Sequence, residues 1–245
     1  PMTRFNNLSY ILFFLSFILV SCERENNTPK DKVLTGDVLL NSQKDVYKFG
    51  FYNYSKIIGS GVISTTSASG ALSTDITNLD RLQSIDSIEG SLYILKNSNL
   101  SEIGKGLDNL TYVKGNIYIR DNENIKYIDS FKHLTYLGGD LVIYSNDALL
   151  DINSFSNFTA LNGDLIIHTN LSLINTSGFK NLKKINGDFE IDETKSLTNL
   201  DCFTNLNVIG KELRITGNRV LTNIDGLKNL ESIGGLLEIR ENEML

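Results

Sequence analysis

A period constrains this chain more than any other feature. Isoleucines recur at Ile94, Ile119, Ile143, Ile167, Ile191, Ile215 and Ile239, with a first interval of 25 residues and 24 for each of the five that follow. A fixed repeat of that length marks a stacked architecture, in which each unit buries its apolar face against its neighbours. Two spacings coexist within a unit. Leu141 and Ile143 alternate with period two, so both point to one side of a strand while the residue between them points to the other. Counted from Ile119, apolar residues then follow at +6, +9, +12, +15 and +18, as Ile125, Ile128, Phe131, Leu134 and Leu137. On an α-helix, four steps of three residues would make such a stripe drift by roughly 240°, so no helical face could bury it. Short extended and 3₁₀-like corners return every one of these residues to the interior. The unit is therefore one coil of a solenoid, its strand stacked in parallel on those above and below.

Polar residues keep the same period. Gly90, Gly115, Gly139, Gly163, Gly187 and Gly235 lie two residues before the first inward strand residue, where a corner needs a positive φ or a close backbone approach; Lys211 breaks the column. Asn97, Asn122, Asn146, Asn170, Asn218 and Asn242 follow the strand by three, with Thr194 as the exception. An amide both donates and accepts, so a buried Asn column can satisfy backbone groups that the corner leaves without ladder partners. Asp140, Asp164 and Asp188 form a third column, one residue after the glycines. Stacked carboxylates could hold a cation such as Ca²⁺; hydrogen bonding to the corner backbone in contact with water is the preferred reading, and no metal is assigned. His133 and His168 lie apart in the repeat and have no second metal-type ligand.

The amino terminus follows different rules. Tyr10 to Val20 is an uncharged apolar run of eleven residues after Arg4, a length that suits a secretory signal and is short for a membrane span. It ends in "LVSC", Leu19 to Cys22, which resembles a bacterial lipobox. That resemblance implies cleavage at 1–21 and acylation of Cys22, where several acyl chains would give the stable membrane residence that one chain does not. An ordinary signal peptide with an incidental Cys is the alternative. Residues 22–32 are polar and read as a tether. Residues 33–63 read as an N-terminal cap and a degenerate first coil: a short strand, a helix opened by Ser42 with Asp45 three residues on, then Ile57, Gly59 and Ile63, with Gly61 where Leu is expected. Residues 64–245 hold the repeats. The spacing from Ile63 to Ile94 exceeds one period, and the Ser/Thr-rich "STTSASGALST" reads as the inserted loop. Leu245 falls inside a coil, so a fragment with downstream repeats or a further domain is expected.

With this register in place, the consensus L-x-x-I-x-G-x-L-x-I-x-x-N-x-x-L-x-x-I-x-G-L-x-N-L, from about Ile76 onward, resembles the leucine-rich-repeat family and most closely its receptor L-domain branch. The resemblance implies a mainly β, right-handed solenoid with one parallel sheet that binds other molecules and does no catalysis. Lys114, Asp188 and Glu212 at the corner mark a divergent copy.

The outer face of the sheet is where a ligand would meet it. Its middle column reads Tyr93, Tyr118, Val142, Ile166, Glu190, Arg214, Glu238; its neighbour reads Leu95, Arg120, Tyr144, His168, Asp192, Thr216, Arg240. The earlier coils are aromatic and aliphatic and the later ones charged. Tyr93, Leu95, Tyr118, Arg120, Val142, Tyr144, Ile166 and His168 are the candidate ligand-binding residues, for protein or carbohydrate. Strand propensity and cross-strand packing are the competing explanation of the same residues. No cofactor is implied. The net charge is −6 and no Lys/Arg cluster is present, which excludes nucleic acid as a partner. Cys202 occupies a position held elsewhere by Ser130, Ser154 and Gly226, and reads as a small filler. The expectation is a non-catalytic, lipid-anchored, surface-exposed protein of a bacterial outer membrane that acts in recognition or adhesion. A stalk that presents a missing domain is the alternative.

Overall fold

The computed structural model describes residues 32–64 and 75–245. The apolar run, Cys22, the tether up to residue 31 and residues 65–74 of the Ser/Thr-rich insertion lie outside them.

The alternating segments form one long parallel sheet of nine strands: Val38–Leu40, Gly61–Ser64, Leu92–Leu95, Ile117–Arg120, Leu141–Tyr144, Leu165–His168, Phe189–Asp192, Leu213–Thr216 and Leu237–Arg240. Each strand pairs with the strands of the adjacent coils in register, so that Ile143 sits between Ile119 and Ile167. A constant period makes this possible: when every coil has the same length, equivalent residues superpose and the side-chain alternation stays in phase across the sheet.

The period-three residues close the coil behind the sheet. Ile125, Ile128, Phe131 and Leu134 are fully buried, and Leu137 is nearly so. In four successive coils the third of these positions is Phe, and Phe131, Phe155, Phe179 and Phe203 stack as a spine with ring centroids 5.4, 5.6 and 5.8 Å apart. Burying each such ring contributes about 1.5–3 kcal/mol, and the stacking adds to it. The corners on this side are short parallel ladders, such as Tyr112–Val113 beside Tyr136–Leu137, and 3₁₀ turns, such as Ser177–Phe179 and Asp201–Phe203. A coil turned mainly by three-residue steps has no room for longer elements.

The first coil is built differently. Two short strands, Val33–Thr35 and Val38–Leu40, flank Gly36, one more than the sequence suggested, and the helix Gln43–Tyr52 follows. The Ser42 hydroxyl accepts from the Asp45 N–H at 3.2 Å and donates to the Asp45 carboxylate at 2.6 Å. The same carboxylate accepts the N–H of Asn41 at 3.4 Å, so two donors at the helix start are satisfied. The helix turns Val46 and Phe49 inward and covers the end of the core. At Gly61 the expected Leu is missing; a Cβ there would sit 3.5 Å from the Leu92 side chain, at ordinary contact.

Candidate functional site

Three periodic columns and one outer face are the candidate sites, and the structure gives each a distinct chemistry. The Asn column is a buried ladder. The Asn146 Oδ1 accepts the backbone N–H of Asn122 at 3.1 Å, while its Nδ2 donates to the Ile119 carbonyl at 2.9 Å. Asn122 relates in the same way to Asn97 and Ile94, Asn170 to Asn146 and Ile143, and Asn242 to Asn218 and Ile215. Asn97 donates to Ile63, while Asn218 accepts from Thr194 and donates to Ile191. Thr194 adds a hydroxyl bond to Asn218 but has no side-chain amide to donate to the preceding coil. These bonds tie each coil to the next, so the column is a structural ladder of the fold.

The column at the other end of the strands is a second ladder. Asp140, Asp164 and Asp188 each accept, through Oδ1, the backbone N–H of the equivalent residue one coil on, at 2.8–2.9 Å. The ladder continues backward through Asn116, Ser91, Ser60 and Asp37. The Lys211 ammonium, where the glycine column breaks, lies 3.3 Å from Asp164. Among the described residues no group of three or more His, Cys, Asp and Glu side chains could hold a metal ion. The glycines have their reason here. Gly163 has no positive φ, but a Cβ on it would stand 2.3 Å from Asp140 Oδ1 and 2.6 Å from the Gly139 carbonyl carbon. Close approach, not backbone conformation, excludes a side chain. A left-handed residue falls two positions after each inward Ile from Ile94 onward: Lys96, Asp121, Ser145, Thr169, Glu193, Gly217 and Glu241.

A third ladder escaped the sequence reading. Asn109, Asn157, Asn181, Asn205 and Asn229 donate to a carbonyl of the preceding coil. His133 holds the same position, its Nδ1 2.7 Å from the Asp108 carbonyl. An Asn followed by Leu or Phe at 24-residue spacing was the available signal.

The outer face is packed more closely than its sequence suggested. Val142 and Ile166, expected to meet a ligand, are buried at 6 and 8% exposure. This corrects their place among the contact residues. Each is a short side chain in a lateral row between longer ones, Tyr118 on one side and Glu190 on the other, and at the strand spacing of about 4.8 Å those neighbours close over it. The six remaining candidates are half-buried and fall into two groups. Tyr93 and Tyr118 stack face to face, centroids 5.2 Å apart and planes 4° apart. The Asn116 amide donates to the Tyr118 hydroxyl at 2.9 Å, which ties the ring to the second ladder. Burial pushes the Tyr118 phenol up, against the pull of that hydrogen bond. In the neighbouring row, the Arg120 guanidinium lies 5.3 Å from the Tyr144 ring, whose centroid is 4.9 Å from that of His168. His168 Nε2 is 3.4 Å from Asp192, which accepts from the Thr216 hydroxyl at 2.6 Å. Leu95 extends this row beside Arg120 without a ring contact.

The later coils carry an ion cluster. The Arg214 guanidinium meets Glu190 at 3.3 Å, Glu238 at 3.5 Å and Glu212 in a short contact. Burial pushes the Glu190 carboxyl up even with Arg214 beside it. Cys202 packs against Thr176 at 3.0 Å, and burial pushes its thiol up to about 12, which suits a filler and not a nucleophile.

A family model of the Receptor L domain matches residues 86–178 and 159–221, together more than half of the chain. No curated protein and no solved structure matches it. Receptor L domains bind protein ligands and are a non-enzymatic module type. The matched span takes in six of the nine sheet strands and both rows of aromatic side chains, and the chain belongs to the Receptor L domain family.

Proposed function

We propose that this is a non-catalytic, lipid-anchored surface protein of a bacterial outer membrane that binds a protein or glycan ligand through the outer face of its long sheet. Residues 1–21 serve as the signal peptide, acylated Cys22 as the anchor and residues 22–32 as the tether. The observation that carries the binding role is the one-sided row of Tyr93 on Tyr118 beside Arg120, Tyr144 and His168. These rings are held in fixed orientation with one face or edge toward water. Such rigid, amphipathic surface loses little side-chain entropy when a ligand covers it.

The test is a double substitution, Tyr118→Ala with Tyr144→Ala, applied to arrays of extracellular proteins and of glycans. The parent chain is expected to give a signal that the double variant loses, with the variant still folding cooperatively. An unchanged signal would remove the sheet face as the site. The stalk reading draws on one observation, that Val142 and Ile166 are already covered by their own neighbours. It predicts no ligand on either array.

A further inference from the structure

The helix Gln43–Tyr52 closes the core with one face and leaves an unusual second face in solvent. Lys44, Tyr47, Lys48 and Phe51 are spaced i, i+3, i+4 and i+7, Tyr52 follows, and all five are exposed. Phe51 is 82% exposed, the highest among the exposed large hydrophobic residues that the structure describes. The helix has one acid, Asp45, and its carboxylate is held in the N-cap by Ser42 and Asn41. The outward face therefore carries two ammonium groups and three aromatic rings and no carboxylate, in a chain whose net charge is −6. Arg81, from the next coil, lies 6.0 Å from the Tyr47 ring and adds a cation at the edge. Lys32 donates to the Tyr52 carbonyl at 3.0 Å and adds another. A solvent-facing cap normally mixes charges of both signs and keeps large apolar groups inside.

We propose that this face docks on the anionic, phosphate-bearing lipid surface of the membrane that carries the anchor. Phe and Tyr rings enter the headgroup region while Lys ammonium groups remain at lipid phosphates, the division that interfacial helices use. The inference rests on the anchor reading in one respect. The ten residues from Glu23 to Lys32 extend at most about 35 Å, so acyl chains on Cys22 hold the first coil beside the bilayer at high effective concentration. Docking would fix the solenoid's orientation and turn its later coils away from the lipid.

The chain has no Trp, so Phe51→Trp places a sole indole at the centre of this face, at an exposed position outside the core. The variant is produced in a bacterium that acylates lipoproteins, its acyl groups are verified by mass spectrometry, and it is reconstituted in phosphatidylglycerol-containing vesicles with and without brominated acyl chains. The expected result is a blue-shifted indole emission with loss of intensity to the bromine. Both should be reduced when Lys44→Glu and Lys48→Glu are added. An acylated, vesicle-held chain with unshifted and unquenched emission overturns the docking and leaves the anchor standing. A blue shift without bromine quenching means that a second copy covers the face, and also overturns it. Absence of acyl groups on Cys22 overturns the anchor reading, and the docking with it.

Discussion

The two polar ladders that flank the long sheet do the same work with different residues. At the carboxyl end of the strands, Asn97, Asn122, Asn146, Asn170 and Asn218 are fully buried; at the amino end, Asp37, Ser60, Ser91, Asn116, Asp140 and Asp164 lie at or near the surface, and Asp188, at 7% exposure, is the one buried member. Both accept a backbone N–H from a neighbouring coil. The buried ladder must also satisfy carbonyls and cannot carry charge, which leaves Asn as the residue with a donor and an acceptor on one short stem. The outer ladder needs an acceptor only and water solvates the rest, so Asp, Ser and Asn interchange. Periodicity alone does not separate these cases; burial does.

The comparison is sharpened by substitutions on each side. Asn146→Ala is expected to have the largest effect. It leaves the Asn122 N–H and part of the Ile119 carbonyl's bonding unmet in a dry interior, a loss of about 3 kcal/mol from two groups at roughly 1–3 kcal/mol each, read as a lower midpoint in urea. Gly163→Ala comes next, because the new methyl collides with Asp140 and with the Gly139 backbone. Overpacking of that kind costs about 2 kcal/mol, and relief by Asp140→Ala should be partial because the backbone contact remains. Thr194→Asn works in the opposite direction. It supplies an amide where the buried ladder is interrupted and should stabilise by about 1 kcal/mol through new bonds to Asn170 and Ile167. Asp164→Asn should be the smallest, within about 0.5 kcal/mol of zero, since it keeps the acceptor and loses only the exposed Lys211 pair. A large loss there would mean that the carboxylate charge itself is required, and the two ladders would no longer differ as argued.

The outer face shows where sequence reading stops. The division between aromatic early coils and charged late coils was legible in the residue columns, as was the direction of each side chain. That Val142 and Ile166 would be closed over was not, because it depends on the lateral reach of Tyr118 and Glu190 across adjacent strands. The four Phe of the spine share one register in the sequence, but their stacking exists only once the coils are superposed. The Asn109 to Asn229 ladder and the place of His133 in it were readable from the spacing, but their hydrogen bonds reach a carbonyl one coil away, which spacing alone does not separate from a solvated polar position. On the helix, the cap and its inward face followed from Ser42, Asp45, Val46 and Phe49, whereas the open face of Lys44, Tyr47, Lys48 and Phe51 needed the neighbouring coil to show what remained uncovered.

The sequence by itself determined the period, the coil, the strand positions and the core, because these depend on spacing along the chain and on which residues avoid water. Tertiary structure alone decided which columns are dry, why the corner glycines from Gly90 to Gly187 cannot carry a methyl and which outer side chains remain accessible. Those properties depend on distances between residues about 24 positions apart, and such distances exist only once the coils are stacked.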